Sequence, residues 1–343
     1  MHNFKPHYPH STPPKPGELM AVAEGVYWLR MPLPFQLDHI NLWLLEEDDG
    51  WTIVDTGLAS EETTDLWLQI CTLIDTDKPV KRVIGTHMHP DHIGLAAWLC
   101  RRTGAELWMS RADYQQCRVL YEEGNNEAPA EAVQFYQAAG FSESELDHYR
   151  ARFGGFSKMI RGMPRSYRRI KEGDRFSVNN RQWQVITGEG HSPEHVCLLC
   201  PELNIFISGD QLLPTISSNV SVWPTEPHAN PLQDWLDSCR RLQPLLPTDV
   251  LTLPSHGLPF IGGAQRLQQL VQTHEDDLQK IHQRCTEPLR VVDLFPLIFK
   301  STITHQTQIF AAGESYAHLH CLMARGLVCV NTDNAGVNWY RRA

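Results

Sequence analysis

The chain has 343 residues, 42% hydrophobic and 20% charged, with 40 Asp and Glu against 30 Lys and Arg and a formal net charge of −10. The length allows a core of roughly 200–250 residues with a small appendage, and no stretch approaches the ~20 apolar residues that span a membrane. The acidic balance opposes general affinity for nucleic acid, which rests on Lys and Arg neutralising phosphates.

The first residues carry no charged-then-apolar leader pattern. The nine cysteines are scattered and odd in number. Cys197 and Cys200 form a CxxC inside a strand-like run, with no turn or helix start beside it, and read as buried thiols rather than a redox pair. The expected location is the cytoplasm, with no membrane partner.

Residues 1–20 hold Pro6, Pro9, Pro13, Pro14 and Pro16 and read as an irregular arm. Strand-like runs follow at 25–30, 40–45 and 51–54, with acidic turn residues at 46–50 marking a hairpin. The third run closes on Asp55-Thr56-Gly57. A carboxylate at a strand end can partner a metal-ligand imidazole; a turn-forming Asp is the plainer alternative. Ser60 caps an expected helix over 61–74.

A strand over 82–85 then runs into Thr86-His87-Met88-His89-Pro90-Asp91-His92, with three imidazoles and a carboxylate in six residues. A strand feeding a tight loop would gather all four side chains at the strand's C-terminal end. Neutral imidazole and carboxylate are the ligands that borderline divalent cations such as zinc take. A polar loop that happens to be His-rich is the plainer reading, and partners of the right kind downstream favour the metal. A helix over 94–103 and a strand over 106–109 continue an α/β layering.

From 110 to 170 the pattern turns helical, at 112–123, 129–139 and 142–152, with Ser142 and Glu145 as a capping box. Eight basic residues then fall in 22 positions (Arg150, Arg152, Lys158, Arg161, Arg165, Arg168, Arg169, Lys171), with aromatic residues between them. They form either a solvated face or an anion-attracting rim over the metal site.

Strand character returns at 175–178 and 183–186, before the Gly-rich loop Thr187-Gly188-Glu189-Gly190-His191-Ser192-Pro193-Glu194-His195. Runs at 196–199 and 205–207 follow, the second ending in Ser208-Gly209-Asp210. A helix over 231–242 and a strand over 250–253 lead into Pro254-Ser255-His256-Gly257. His87, His191, Asp210 and His256 thus each follow a β-type run, as expected where sheet ends carry a site. The other histidines, His2 and His39 among them, lack ligand-spaced partners and read as surface or satisfied core residues. After Gly262-Gly263 come expected helices over 264–285, 291–300 and 314–325 and a hairpin of 327–330 with 337–340.

The set His87-x-His89-x-Asp91-His92, followed by His191, Asp210 and His256, resembles the metallo-β-lactamase-fold hydrolase superfamily, matching in type, spacing and order across residues 20–265. The resemblance implies an α/β fold, an αββα sandwich of two mixed sheets with helices outside. One metal would take His87, His89 and His191, the second Asp91, His92 and His256, with Asp210 bridging. Asp at the bridging position is closer to the glyoxalase II and β-lactamase-like protein 2 branches, in which His195 resembles a residue behind the ligands. The C-terminal helices and hairpin resemble a winged-helix module. The implied division is an arm at 1–20, a catalytic domain at 21–265 with a helical insert at about 110–170, and a C-terminal module at 266–343. From Leu289 to Ala343 five basic residues stand against three acidic ones, and the last helix carries only Arg325, so packing or a pocket role is favoured over nucleic-acid recognition.

The implied chemistry is hydrolysis. Two divalent metals, zinc first and iron or manganese as alternatives, would lower the pKa of a shared water towards ~7. The bridging hydroxide would attack an acyl centre, a thioester or lactone carrying negative charge, with Asp91 as the catalytic residue that orients it or relays its proton. The alternatives are a ribonuclease or phosphodiesterase of the β-lactamase-like protein 2 type and a mononuclear iron persulfide dioxygenase. A homodimer is compatible with the sequence.

Overall fold

Short apolar runs bounded by turns, most of them buried on both faces, form two sheets at the centre of the molecule. The computed structural model describes residues 4–74 and 78–343; His2 lies outside the described residues. The first sheet holds β1 (Met20–Ala23), β2 (Val26–Pro32), β3 (His39–Glu47), β4 (Gly50–Val54), β5 (Val80–Ile84), β6 (Glu106–Met109) and β7 (Arg168–Arg169), lying side by side in that order. β1 to β4 pair antiparallel and β4 to β7 parallel. The acidic turn expected between β3 and β4 makes the hairpin, while β1 and β7 had no sequence counterpart. Parallel neighbours need crossover connections. These are α1 (Glu61–Ile74), between β4 and β5, and α2 (Pro90–Ile93) with α3 (Ala96–Thr103), between β5 and β6.

After β6 come α4 (Arg111–Glu122), α5 (Ala130–Ala138), α6 (Glu143–Arg152) and α7 (Gly155–Lys158). The second sheet is built from β8 (Arg175–Val178), β9 (Arg181–Gly188), β10 (His195–Cys200), β11 (Ile205–Gly209), β12 (Leu251–Pro254) and β13 (Phe260–Ile261), in the spatial order β13-β12-β11-β10-β9-β8. Only β11 and β12 run parallel, joined across α8 (Pro231–Leu242). The long α9 (Gly263–Arg284) follows β13.

Three buried clusters separate four layers. Trp28, Trp43, Val54, Ile84, Trp183, Leu198 and Ile207 fill the space between the sheets. Leu42, Ile53, Trp67, Ile70 and Leu99 pack the first sheet against its helices. Ile186, Phe206, Trp235, Leu267 and Leu270 do the same for the second sheet. The architecture is the expected αββα sandwich. Cys197 belongs to the outer cluster and Cys200 to the inner one, because residues three apart on a strand point to opposite faces. Cys197 and Cys200 form no disulfide with each other, and the CxxC is no redox pair. Among the described residues, no helix is long and apolar enough to cross a membrane.

The helical insert divides between the two sides. Tyr114, Cys117, Ile160 and Met163 join the core of the first sheet. Phe135, Tyr136, Phe141 and Leu146 of the α5–α6 region instead share a core with Val291, Tyr316 and Tyr340 from the C-terminal segment. That segment consists of a 3-10 turn at Val291–Leu294, α10 (Phe295–Ile298), α11 (Gln308–Ala324) and a hairpin of β14 (Val328–Thr332) and β15 (Asn338–Arg342). The helix expected over 291–300 is thus only two short turns. α11 starts at Gln308 rather than at 314, running straight through Gly313. It is buried along most of its length, including Ala311, Ala312, Tyr316, Ala317, Leu319 and Leu322.

Candidate metal centre

Four strands deliver the site at their C-terminal ends: β5 leads to His87, β9 to His191, β11 to Asp210 and β12 to His256. The two sheets touch there through their backbones. Val196 N donates to Thr86 O at 2.7 Å, and Asn41 N donates to Ser255 O at 2.7 Å.

The seven side chains singled out in the sequence converge in two groups. The first is His87, His89, His191 and Asp210, and the second is Asp91, His92 and His256; within each, one atom per residue lies within 4.8 Å of the others. His87 Nε2 is 2.8 Å from His89 Nδ1 and 3.2 Å from His191 Nε2. Asp91 Oδ2 is 3.6 Å from His92 Nε2 and 3.4 Å from His256 Nε2. Asp210 lies between the groups. Its Oδ2 is 3.4 Å from His191 Nε2 and 3.5 Å from His92 Nε2, and its Oδ1 is 3.5 Å from His256 Nε2.

The outward nitrogens are occupied, which turns the other ring nitrogen inward. His92 Nδ1 donates to Asp55 Oδ2 at 2.8 Å, His191 Nδ1 to Asn219 O at 2.7 Å and His256 Nδ1 to His39 O at 2.8 Å. Thr86 Oγ1 lies 3.1 Å from His87 Nδ1. Asp55 also accepts Thr86 N at 2.7 Å and Thr86 Oγ1 at 2.8 Å, so one carboxylate shapes the loop backbone and orients a ring. His195 is not among the converging atoms. Its ring stacks on His87 at 4.6 Å between centroids, and its Nε2 accepts Asp210 N at 3.0 Å. A Cβ at position 209 would stand 2.5 Å from His195 Cε1, which explains glycine there.

Charge follows this layout. Burial, then the neighbouring imidazoles, holds His87 well below the ordinary histidine value, and burial followed by His191 takes His89 down to about 3. Burial opposes charge on His92 too, but Asp91, Asp210 and Asp55 outweigh it and hold that ring well above the usual range. For His256 burial likewise pulls down, and Asp210 and Asp91 win, raising it to about 10. Burial would raise Asp91 and Asp210; the facing His92 and His256 reverse this, bringing Asp91 to about 2 and Asp210 well below the carboxylate range. His87 and His89 are therefore neutral imidazoles, while the carboxylates of Asp91 and Asp210 face the positively charged rings of His92 and His256.

These residues fit divalent metal. The donors are nitrogen and carboxylate oxygen, the set that zinc and its neighbours take. His92 Nε2 and Asp210 Oδ1 are buried, make no hydrogen bond, and face the other ligand atoms. A cation between them would satisfy both valences.

Several contributors had no signal in the sequence. Asp113, fully buried in the first turn of α4, accepts Met88 N at 2.9 Å and Glu194 N at 2.7 Å, stitching the two His-bearing loops together. Burial pushes its carboxyl up to about 6 against those bonds. His39 supplies a carbonyl to His256, while its ring is engaged by Asp38 and by Gly257 N; it is a satisfied histidine, as read, and it also orients the His256 ring. All eight basic residues of 150–171 are exposed. Arg150 is paired with Glu143 and Asp147, and Arg169 reaches within 3.8 Å of Glu194 in the His191–His195 loop.

The pattern of the metallo-beta-lactamase superfamily matches residues 36–256, and that of the metallo-beta-lactamase-like C-terminal domain matches residues 278–343. The chain belongs to the metallo-beta-lactamase superfamily and is an enzyme of its metal-dependent hydrolase class. It is 25% identical to the acyl-coenzyme A thioesterase MBLAC2 of Gallus gallus over 276 residues, covering 79% of this chain and 91% of that protein. To the probable metallo-hydrolase YqjP of Bacillus subtilis (strain 168) it is 24% identical over 333 residues, 88% of this chain and 93% of that one. In structure it resembles a beta-lactamase domain protein from Burkholderia ambifaria, with TM-score 0.91 and 39% identity over 98% of both chains. A metallo-beta-lactamase family protein from Thermus thermophilus aligns with TM-score 0.79 and 25% identity, over 94% of this chain and 100% of that one.

Proposed function

We propose that this enzyme hydrolyses an acyl substrate, a thioester or lactone bearing negative charge, at a pair of zinc ions. The observation that carries this reading is the convergence of seven ligand-type side chains, four of whose imidazoles are held from behind. His87, His89 and His191 would hold one ion, Asp91, His92 and His256 the other, and Asp210 would face both. Two such ions supply Lewis acidity and a water of lowered pKa, so neither a Ser nor a Cys nucleophile is required. The protein's own part is orientation. Asp55 fixes the His92 ring and the Thr86 backbone, and Asp113 fixes the two loops relative to each other. Asp91 presents a carboxylate oxygen at the mouth of the second group, and we assign it the task of orienting the attacking water and taking up its proton.

Similarity to a protein named as an acyl-coenzyme A thioesterase supports the thioester, and an anionic acyl carrier suits the exposed basic segment ending at Arg169 and Lys171. We further propose 21–265 as the catalytic domain and 266–343 as a module that shapes its pocket. The buried α11 supports a packing role over reading a nucleic-acid groove. Buried thiols such as Cys117, Cys197 and Cys239, none of them bridged, suit a reducing cytoplasm.

A panel of acyl-coenzyme A thioesters and lactones, assayed with metal analysis of the same samples, tests this. Asp210→Ala and His191→Ala should lose bound zinc and nearly all turnover. Full activity in either variant contradicts the proposal, as does salt-sensitive RNA binding and cleavage without any esterase activity.

A further inference from the structure

His191 takes its outward support from an irregular segment. Its acceptor, the Asn219 carbonyl, belongs to the stretch 217–222 between β11 and α8, which has no regular secondary structure. Ser217 and Ser218 bond to His274 and to the Asp210 carbonyl, and 219–222 are held by α11, from the far end of the chain. Asn219 Nδ2 donates to Glu314 Oε2 at 3.1 Å, Ser221 Oγ donates to Asn219 Oδ1 at 2.6 Å, and Val222 N donates to Gly313 O at 3.0 Å. Both ends of the Asn219 amide are thereby engaged, and the direction of its carbonyl is set with them.

Gly313 points the same way. A glycine inside a helix costs ~0.5–1 kcal/mol relative to alanine. Here a Cβ would stand 2.7 Å from Ser221 Cβ and 2.9 Å from Val222 O. The glycine lets the helix backbone come down onto the loop next to Glu314. Burial also pushes the Glu314 carboxyl up to about 7 although Asn219 opposes it, so the group is kept in place against a desolvation cost.

We propose that Glu314 is a positioning residue of the metal centre, which through the Asn219 side chain fixes the carbonyl that orients His191. The C-terminal module then completes the centre instead of only covering it. This rests on the reading of His191 as a ligand. Partners that orient a ligand from behind are typically worth about 10–100-fold in metal affinity.

The test uses the full chain, zinc in competition with a chromophoric chelator, and thermal unfolding of the metal-stripped protein. Glu314→Ala and Asn219→Ala should each weaken zinc binding at one of two sites by about 10-fold or more, with metal-stripped melting unchanged. Glu314→Gln retains an acceptor for Asn219 Nδ2 and should restore affinity. The double alanine variant should be no weaker than either single one, because both cut the same link. Wild-type affinity in Glu314→Ala overturns the proposal, as does a loss that only follows lowered melting and that Glu314→Gln shares. If Glu314→Ala fails to fold, Asn219→Ala reads the link from the loop side, and unchanged affinity there is equally decisive. A wild-type chain that binds no zinc removes the proposed function with it; two bound zinc ions and an unaffected Glu314→Ala remove only the positioning role.

Discussion

Asp55 makes three of the contacts that shape the His-rich loop, and it does so from φ 63°, a left-handed backbone that few non-glycine residues adopt. Removing its carboxylate frees the His92 ring and leaves Thr86 N without its acceptor. Asp55→Ala should therefore weaken zinc binding by about 10–100-fold in chelator competition; unchanged affinity would mean that the loop holds its shape unaided. Gly209 is the second pressure point, with φ 52° and no room for a Cβ against His195. Gly209→Ala should cost at least ~1–3 kcal/mol in urea unfolding. Asp55 and His195 could be picked out in the sequence because each is a polar side chain beside a β-type run or a ligand. Asp113, His39 and Asn219 could not. Asp113 acts on backbone N–H groups 25 and 81 residues away, and the other two lend carbonyls, which every residue possesses. Long-range bonds to the main chain leave no mark in side-chain spacing.

At the scale of elements, the long strands and the helices with an apolar stripe were legible, whereas β1, β7 and β13 were too short to show a period. α11 begins six residues ahead of the expected start at 314 and runs through Gly313, which marks a close approach. The α9–α11 contact also carries a pH response. His274 on α9 sits 5.7 Å from His318 on α11, and burial, then His318, lowers His274 from 6.5 to about 4. The folded chain thus binds this proton less readily than the unfolded one. Its contribution is present above pH 6.5 and is lost as pH falls through about 4, on the order of 3 kcal/mol in all for a shift of this size. Urea unfolding of metal-stripped protein from pH 7 to pH 4 should show the decline, and His274→Leu should make it shallower, the remainder coming from buried His87, His89, His195 and His318. Parallel pH profiles for the two proteins would contradict the assignment.

Across the whole molecule, the C-terminal segment shares one core with the second sheet and with α5 and α6. Tyr340, 1% exposed, lies in that core and pairs its backbone with Leu289 in both directions. The winged-helix resemblance implies a C-terminal module at 266–343, and nothing in the sequence signals that the insert reaches over to meet it. Tyr340→Ala should lower the stability of the entire chain by ~3–5 kcal/mol, with far-ultraviolet circular dichroism and tryptophan fluorescence tracing the same single transition. An early transition confined to the tail would show that it folds apart. The edge where the two sheets meet is the proposed two-zinc centre, and diffraction from zinc-loaded crystals on both sides of the zinc absorption edge shows whether it holds two ions. Two anomalous peaks are expected, one enclosed by His87, His89 and His191, the other by Asp91, His92 and His256, with Asp210 between them. A single peak, or peaks elsewhere in the molecule, would rule out a two-zinc centre at this edge.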